Sequence, residues 1–353
     1  MKIASLIHLV DHYDPSSCRT LATELFDLIG YSQQYCITMK PFVLGELACP
    51  ISIIYERDVD VYHRIVQFDY PFIIYHRSFR DDLGFLSSLA PDIPLIVIHY
   101  KHASDKLNIP YASRNATFSE AIRSSLADRG VEATLIPPPL RTGRFEAVEP
   151  KLRQHGKYLL TGRVNNLNSS RYSEEWFKFM SAVRLATPFV HEHIGGGPYF
   201  ARAKAVVKTL KGQDNAIRLL GPIDSFEEKV SLLKSWDLFL YQTVEPDAVS
   251  ASILESFACG VPVLCSDNSI NRSYIIKGET GFLYRDLREL GEIMRRLSAD
   301  RLYLDGLKER TAAYFRDMDS TDSRGDRIHS VIDSVCDDYS YIRLRRIIHK
   351  QRL

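Results

Sequence analysis

The chain has 353 residues, of which 45% are hydrophobic and 25% are charged, and its formal net charge is +1. This length accommodates two domains of ordinary size, and the near-neutral charge excludes a general attraction to nucleic acid. Six scattered cysteines without a CxxC pair favour reduced thiols in a cytoplasm over a disulfide framework or a zinc site. Since no apolar run reaches the length of a membrane span, the composition predicts a globular, cytoplasmic protein.

The first half of the chain alternates short apolar runs with segments of helical pattern. An Asp-Pro pair opens a predicted helix over residues 14–29, because Asp caps a helix and Pro fits its first turn. A second helix is predicted from Asn115 to Ala127. Strands are predicted at residues 3–10, 51–55, 72–75, 95–99 and 133–136. This alternation predicts one doubly wound domain over residues 1–145.

The second half repeats the alternation after a break. Residues 141–156 are polar, charged and without clear periodicity, which predicts a linker. Strands are then predicted at residues 158–161, 186–194, 217–220 and 236–241, and helices at residues 200–210 and 225–233. The pattern predicts a second doubly wound domain over residues 146–330, followed by a C-terminal helix at residues 331–353.

The segment from Asp247 to Val263, DAVSASILESFACGVPV, is the most informative in the chain. It follows a predicted buried strand and sets two carboxylates, Asp247 and Glu255, eight residues apart. Ser250 and Ser252 suit the first turn of a helix whose amide donors are free. Such a helix start attracts anions, and phosphate in particular, through its unpaired N–H groups and its dipole. Glu255 is expected about one and a half turns further along, where it would face a ribose or another polyol.

This segment resembles the signature of the retaining GT-B glycosyltransferases of family 4, which are also called group 1 glycosyl transferases. The family pattern is an acidic residue, seven others, a Glu and then Ala-x-Gly-x-Pro-Val. Asp247 supplies the first acid here, because Glu245 lies two residues too early for the spacing. The resemblance covers residues 94–290 and implies an α/β fold of the GT-B type, in which two doubly wound, Rossmann-like domains face each other across a cleft. It also implies that the helix at residues 331–353 crosses back to the first domain.

Further residues match the donor site of the family, and their roles follow from the resemblance. Gly162 and Arg163 resemble its Gly-Arg pair, whose guanidinium binds the donor diphosphate with the forked geometry that suits phosphate. Asn168 stands where the family has a Lys, and Arg171 is the nearest cation that would replace it. The other expected donor contacts are Gly196 in the run Gly195-Gly196-Gly197-Pro198, Pro222 and Ile223 at the nucleobase, the amides of Ser250, Ala251 and Ser252 at the phosphates, and Glu255 at the ribose.

The resemblance also assigns the groups nearest to the reaction. Asp247 is expected beside the donor sugar hydroxyls and the reacting centre, with Arg163 at the leaving diphosphate. His99 ends a first-domain strand, at the place where the family often has a His close to the donor sugar. His102 is a nearby competitor for this role.

Two patterns suggest metal binding but are explained better in other ways. His191 and His193 share one face of a strand, which indicates a partly exposed strand rather than a pair of metal ligands. The strings Asp58-Val59-Asp60 and Asp317-Met318-Asp319 do not follow strongly apolar strands, so surface charge accounts for them. We therefore expect no metal and no other cofactor.

The C-terminal tail, Tyr341 to Lys350, is basic and amphipathic. Such a helix is able to lie on an anionic membrane, where many group 1 enzymes meet lipid-linked acceptors. The family's last helix, however, commonly packs on the first domain. Packing is therefore the favoured interpretation, with peripheral membrane contact as the alternative.

Together these features predict a retaining, metal-independent hexosyltransferase. It would move a sugar from UDP or GDP to a hydroxyl of a glycan or lipid-linked acceptor, in glycan, glycolipid or polysaccharide biosynthesis. Two alternatives remain open. One is a non-catalytic, glycosyltransferase-like protein that binds a nucleotide or a partner, and the other is a sugar-nucleotide epimerase on the same two-domain fold.

Overall fold

The computed structural model describes residues 5–10, 17–29, 33–38, 51–55, 61–65, 67–68, 71–77, 93–104, 107, 114–140, 142–152, 158–210, 216–243, 249–318 and 326–338. The chain divides into two compact units. The first comprises the described parts of Met1–Pro139, Asp247–Val249 and Ser320–Leu353, and the second comprises those of Leu140–Pro246 and Ser250–Asp319. No helix in the described ranges is long and apolar enough to cross a membrane.

The first unit is built on a parallel sheet. Its described strands are β1 (Ser5–Val10), β2 (Gln34–Thr38), β3 (Ile51–Tyr55), β4 (Pro71–Arg77), β5 (Leu95–His99), β6 (Arg114–Thr117) and β7 (Thr134–Leu135). Its helices are α1 (Ser17–Ile29), α2 (Val61–Ile65), α3 (Glu120–Ala127) and a helix at residues 326–338. The strand order is β3-β2-β1-β4-β5-β6-β7. Strands β2 and β3 are added on one side of β1 and the later strands on the other, so the switch point lies between β1 and β4.

The second unit repeats this design with six described strands. They are β8 (Leu159–Val164), β9 (Phe189–Ile194), β10 (Ala216–Gly221), β11 (Leu238–Tyr241), β12 (Val263–Ser266) and β13 (Gly281–Tyr284). Its helices are α4 (Thr142–Glu146), α5 (Glu174–Ala182), α6 (Phe200–Thr209), α7 (Phe226–Lys234), α8 (Ala251–Ala258), α9 (Ser269–Arg272), α10 (Leu287–Ala299) and α11 (Arg301–Met318). The order β10-β9-β8-β11-β12-β13 places the switch point between β8 and β11. Two doubly wound parallel sheets confirm the predicted α/β class.

The central strands form where the sequence is mostly apolar. All residues of β1, β5 and β11 are buried, as expected for parallel strands that are covered on both faces. Local capping then sets the start of the helices beside them. The Ser225 hydroxyl accepts the Glu228 amide at the start of α7, which satisfies one amide that the helix leaves unpaired.

Two strands of the first unit differ from prediction. Residues 114–117 form β6 and not the start of a helix, because they pair with β5 and the Thr117 hydroxyl donates to the His99 carbonyl oxygen. The helix α3 begins only after Ser119. The sequence prediction also missed β2, in which Gln34 and Thr38 are polar yet buried. Both errors have one cause, since neighbouring strands bury polar side chains that an apolar pattern does not mark.

The predicted linker is wrong for residues 142–148, which pack on the second unit. The helix α4 lies there, and its Phe145 is fully buried with its ring edge-on to Phe226 at 5.2 Å between centroids. The Lys234 ammonium donates to the Val148 carbonyl oxygen at 2.6 Å. The two units therefore divide between Pro139 and Leu140, and a single aromatic residue inside a polar segment anchors its start.

We expect Gly281→Ala to destabilise the second unit by about 3 kcal/mol, because overpacking and backbone strain add. Gly281 has φ +149°, and a Cβ there would overlap the Val263 carbonyl oxygen of the neighbouring strand. Urea unfolding followed by tryptophan fluorescence measures this, because both tryptophans, Trp176 and Trp236, lie in this unit.

Gly143→Ala is the matched control for this substitution. No atom lies within 4 Å of a Cβ at Gly143, which is part of α4, so alanine should be neutral or stabilise by up to about 1 kcal/mol. Equal unfolding midpoints for the two variants would contradict the close strand approach at Gly281.

Candidate functional site

The candidate site lies at the switch point of the second sheet. The loops after β8 and β11 leave the sheet there, and open α/β sheets bind ligands at this position. Gly162 and Arg163 are on β8, and the loop after it carries Asn165, Asn168 and Arg171. The donor-site motifs that were predicted from the sequence lie in this region. Those within the described residues belong to the second unit.

Arg163 is almost entirely buried and spans the switch point. Its Nη2 donates to the carbonyl oxygen of Gln242, after β11, at 2.7 Å and to that of Arg171 at 2.8 Å. With the Asn165 amide oxygen turned toward it, that oxygen accepts from Nε at 2.7 Å. The guanidinium also lies over the Trp176 ring, 5.2 Å from its centroid. The side chain therefore ties together the two loops that define the switch point.

The charge of Arg163 has no internal counter-charge. Among the described residues, no carboxylate lies within ion-pair distance of it, and Nη1 has no hydrogen-bond partner. Burial lowers the pKa of Arg163 to about 10, and the nearby Arg171 charge adds to this. The group still carries its proton at neutral pH, so the strand end presents a buried positive charge. An uncompensated buried charge is costly, and an anion at this point would offset that cost.

The glycines of this region let backbone segments approach each other. A Cβ on Gly162 would overlap the Trp236 ring, and one on Gly195, at φ +130°, would overlap the Asn165 carbonyl oxygen. Gly196 is the predicted ligand-facing glycine, and a Cβ there would lie 3.3 Å from Pro222 Cγ. The glycine run thus holds the loops after β8, β9 and β10 together. The predicted nucleobase contacts at Pro222 and Ile223 follow β10 directly.

The first amides of α8 receive no capping bond from the side chain of the N-cap residue. Ser250 is the N-cap residue, but its hydroxyl makes no capping bond and lies 3.0 Å from the Ser252 hydroxyl. Ala251 begins the helix and is buried. Asp247 lies outside the described residues, so its predicted role stays a prediction. Val249 belongs to the first unit, where its amide donates to the Tyr100 carbonyl oxygen at 2.9 Å.

Glu255 lies one turn into α8 and is 3% exposed. Its Oε1 accepts from the Lys229 ammonium of α7 at 2.7 Å. Sequence reasoning missed Lys229, and no signal marks it, because a lysine on a helix is ordinarily a solvated surface group. Asn165 was missed for a similar reason, since its contact with Arg163 depends on the turn after β8.

His99 has no free ring nitrogen. Its Nδ1 lies 3.1 Å from Arg77 Nη1 and must accept, so Nε2 carries the proton and donates to Asn115 Oδ1 at 3.0 Å. Burial, followed by the Arg77 charge, lowers the pKa of His99 to about 3. The structure gives His99 a place in an internal network of the first unit, and its contact with a donor sugar stays a prediction. The competitor His102 is half-buried, and its carbonyl oxygen accepts from Arg77.

His191 and His193 are fully buried, so the prediction of a partly exposed strand is wrong. Both residues lie on β9, where His191 pairs with Thr161 of β8 and His193 pairs with Arg163, and their side chains are covered. His193 Nε2 donates to the Asn165 carbonyl oxygen at 3.1 Å, and His191 Nδ1 bonds the Thr161 hydroxyl at 3.0 Å. The other nitrogen of each ring has no partner among the described residues.

No cluster of three or more potential metal ligands occurs in the part of the chain that the structure describes. The string Asp58-Val59-Asp60 and the basic tail from Tyr341 to Lys350 lie outside that part, as does Asp319 of the second acidic string. Their interpretations stay predictions.

The comparison with protein families agrees with the position of this site. Residues 150–314 match the model for glycosyl transferases group 1. This stretch, which makes up most of the second unit, is similar to the group 1 glycosyl transferases, and we call it the group 1 domain. The match ends before the helix at residues 326–338 and leaves out the sheet of the first unit. No curated protein sequence matches the chain.

Solved structures extend the likeness to both units. HepE from Anabaena, crystallised with UDP-glucose, superposes with a TM-score of 0.74 at 13% identity, over 94% of this chain and 99% of HepE. Sucrose-phosphate synthase from Thermosynechococcus elongatus gives 0.72 at 14%, over 95% and 100% of the two chains. A glycosyltransferase from Rickettsia africae gives 0.73 at 11%, over 95% and 99%. These identities show a shared fold, and they confirm the predicted GT-B class.

We expect the group 1 domain to lose stability as the pH falls from 7 to 5, in part through His193. Burial, followed by the Arg163 charge, lowers the pKa of His193 to about 3, so the unfolded chain takes up the proton first, near pH 6.5. The stability contribution of a neutral His193 is present above pH 6.5 and is lost below it, by about 2 kcal/mol at pH 5.

His193→Gln removes the titration and keeps a donor for the Asn165 carbonyl oxygen. Urea unfolding at pH 7 and pH 5 should show a smaller loss of stability for this variant than for the wild type, by about 2 kcal/mol. His191→Gln is a second variant with the same expectation, because burial also lowers the pKa of His191. An unchanged pH dependence in both variants would contradict the buried neutral pair.

Proposed function

We propose that the protein is a retaining glycosyltransferase that transfers a sugar from UDP or GDP to an acceptor hydroxyl, without a metal. The observation that carries the proposal is Arg163, a buried cation at the switch point that has no described carboxylate partner. A diphosphate supplies the missing negative charge, and a guanidinium binds phosphate oxygens in forked geometry. The uncapped amides at the start of α8 add donors for the same anion.

The donor is proposed to lie along the strand ends of the group 1 domain. Its phosphates lie at Arg163 and the amides of Ser250, Ala251 and Ser252, and its ribose lies at Glu255. Gly196, Pro222 and Ile223 bound the nucleobase. The HepE structures with UDP and UDP-glucose support a sugar nucleotide as the ligand of this fold.

The positive charges of the site support the proposal that no metal is needed. Two arginines, Arg163 and Arg171, lie close enough for the charge of one to affect the pKa of the other. They supply positive charge at the point where other glycosyltransferases hold a divalent ion. Arg171 takes the place of the lysine that the resemblance leads one to expect at Asn168.

The proposed reaction proceeds with retention. Following the resemblance, Asp247 lies near the reacting carbon and stabilises the positive charge that develops there. The leaving diphosphate, held by Arg163, assists the incoming hydroxyl on the same face. The place of His99 close to the donor sugar, which the resemblance implies, stays a prediction, and its ring is oriented by bonds to Arg77 and Asn115.

The acceptor is proposed to be a glycan or a lipid-linked glycan, and the protein to act in the cytoplasm, in glycan, glycolipid or polysaccharide biosynthesis. The fold is shared with a galactosyltransferase of the lipopolysaccharide outer core, WaaB, at a TM-score of 0.60 and 14% identity. The basic tail would give such an enzyme peripheral contact with an anionic membrane.

A non-catalytic nucleotide-binding protein is the second candidate, and the Asn168 loop favours it. The Asn168 carbonyl oxygen accepts the Tyr172 amide, and its side-chain oxygen accepts the Ser170 hydroxyl. Asn168 therefore stabilises the turn. It does not supply the positive charge of the phosphate-binding lysine that the family has at this position. Binding without turnover would separate this candidate from the enzyme.

Isothermal titration with UDP and with GDP tests the proposed site. We expect the wild type to bind one of the two, and Glu255→Gln to weaken that binding about tenfold or more, because it removes the charge from an acceptor of ribose hydroxyls. Glu292→Gln, an exposed acid on α10, is the control and should leave the affinity unchanged.

The binding nucleotide then selects a panel of its sugar derivatives for turnover assays with and without EDTA. Release of nucleoside diphosphate that EDTA does not affect, with an anomeric product of retained configuration by NMR, supports the proposal. Failure of the wild type to bind either nucleotide would overturn it. Tight binding with no turnover across the panel would favour the non-catalytic candidate.

A further inference from the structure

The buried ion pair between Lys229 and Glu255 joins two helices of the group 1 domain. Lys229 Nζ lies 2.7 Å from Glu255 Oε1, with side-chain exposures of 19% and 4%. Lys229 is the fourth residue of α7, and Glu255 is the fifth residue of α8. Neither helix alone holds the carboxylate in place, so its direction depends on the lysine.

Lys229 is itself held in position by an aromatic ring. Its ammonium lies 5.7 Å from the centroid of Phe226, and the Arg144 guanidinium of α4 lies 4.2 Å from the same ring. Cation–π contacts of this kind restrict the long side chains that make them. These contacts form a row of four side chains that ends at the carboxylate, in the order Arg144, Phe226, Lys229 and Glu255.

The carboxylate has unused acceptor capacity. Lys229 is the only side-chain partner of Glu255 among the described residues, and it engages Oε1. A carboxylate offers about four lone-pair sites, so Oε2 and the rest of Oε1 are left to accept further bonds. Two neighbouring hydroxyls, such as the 2′ and 3′ hydroxyls of a ribose, match two oxygens of one carboxylate.

The other described lysine of α7 behaves differently. Lys234 donates to the carbonyl oxygens of Val148 and Glu146 and contacts no carboxylate. It fastens the segment after α4 to the domain. Lys234 therefore stabilises the fold by binding main-chain oxygens, whereas Lys229 binds a carboxylate that has further lone pairs.

We infer that Lys229 is a positioning residue for the nucleotide ribose, acting through Glu255. It holds the carboxylate in one direction so that both oxygens accept from the two ribose hydroxyls. This role rests on the proposed function, in which Glu255 binds the ribose of the donor. It goes beyond that function by assigning the orientation of the ribose contact to α7.

The test measures how Lys229→Met changes the affinity for UDP or GDP, whichever the wild type binds, and for its 2′-deoxy, 3′-deoxy and 2′,3′-dideoxy forms. We expect about tenfold weaker binding of the ribonucleotide in the variant and a change of less than twofold for a form that lacks both hydroxyls. In turnover assays the KM for the donor should rise about tenfold while kcat stays within twofold, since the ribose contact is the same in ground and transition states.

Three further variants separate this role from a structural one. Lys229→Arg keeps the charge and should retain binding within about threefold of the wild type. Lys229→Met combined with Glu255→Gln removes both charges, avoids an unpaired buried carboxylate, and should bind no more weakly than Glu255→Gln alone. Lys234→Met, on the same helix, should leave the discrimination between ribonucleotide and deoxynucleotide unchanged.

The outcomes distinguish this inference from the proposed function. If the wild type binds a nucleotide and Lys229→Met weakens the ribonucleotide and the deoxynucleotides equally, Lys229 acts on another part of the ligand or only on the fold, and the inference is overturned. If Lys229→Met binds as the wild type does, it is overturned as well. If the wild type binds neither nucleotide, the proposed function fails, and this role fails with it.

Discussion

A buried guanidinium with no carboxylate partner among the described residues is the constraint on which the second unit depends. Arg163 leaves β8 at the switch point, and its hydrogen bonds to the carbonyl oxygens of Arg171 and Gln242 hold the adjoining loops. Backbone carbonyls satisfy its donors but do not cancel its charge, and burial makes that charge expensive. The fold thus places a buried cation at the position where open parallel sheets bind ligands. The side chain that holds these loops is therefore also the one proposed to bind the donor diphosphate.

The loops around Arg163 lie close together because glycines let their backbones approach. Gly162 lies against the ring of Trp236, and Gly195 and Gly197 lie against the backbone of Asn165 and Leu167. Side chains at these positions would push the loops after β8 and β9 apart. The site is therefore shaped largely by main-chain groups, while Glu255 and Lys229 add a carboxylate whose direction is set from a second helix. The buried His193 extends the same network by donating to Asn165.

The sequence predicted elements well where burial and apolar character coincide. The strands β1, β5 and β11 are mostly apolar and are buried throughout, and the prediction placed them correctly. It failed at β2 and β6, where polar residues such as Gln34 and Thr117 are buried by neighbouring strands and by partners distant in the chain. The same limit explains the error at α4, because one buried ring, Phe145, anchors an otherwise polar segment.

The sequence by itself determined the α/β class and the order of the motifs along the second unit, because periodicity and spacing are local properties of the chain, and the candidate donor residues followed from the resemblance of those motifs to a known family. Only the tertiary structure decided what each side chain contacts. It turned His191 and His193 inward, bonded both nitrogens of His99, and joined Lys229 to Glu255 across 26 residues of sequence. The physical reason is that a hydrogen bond or ion pair needs a partner within about 3 Å. Folding brings such partners together from segments whose local patterns carry no mark of each other.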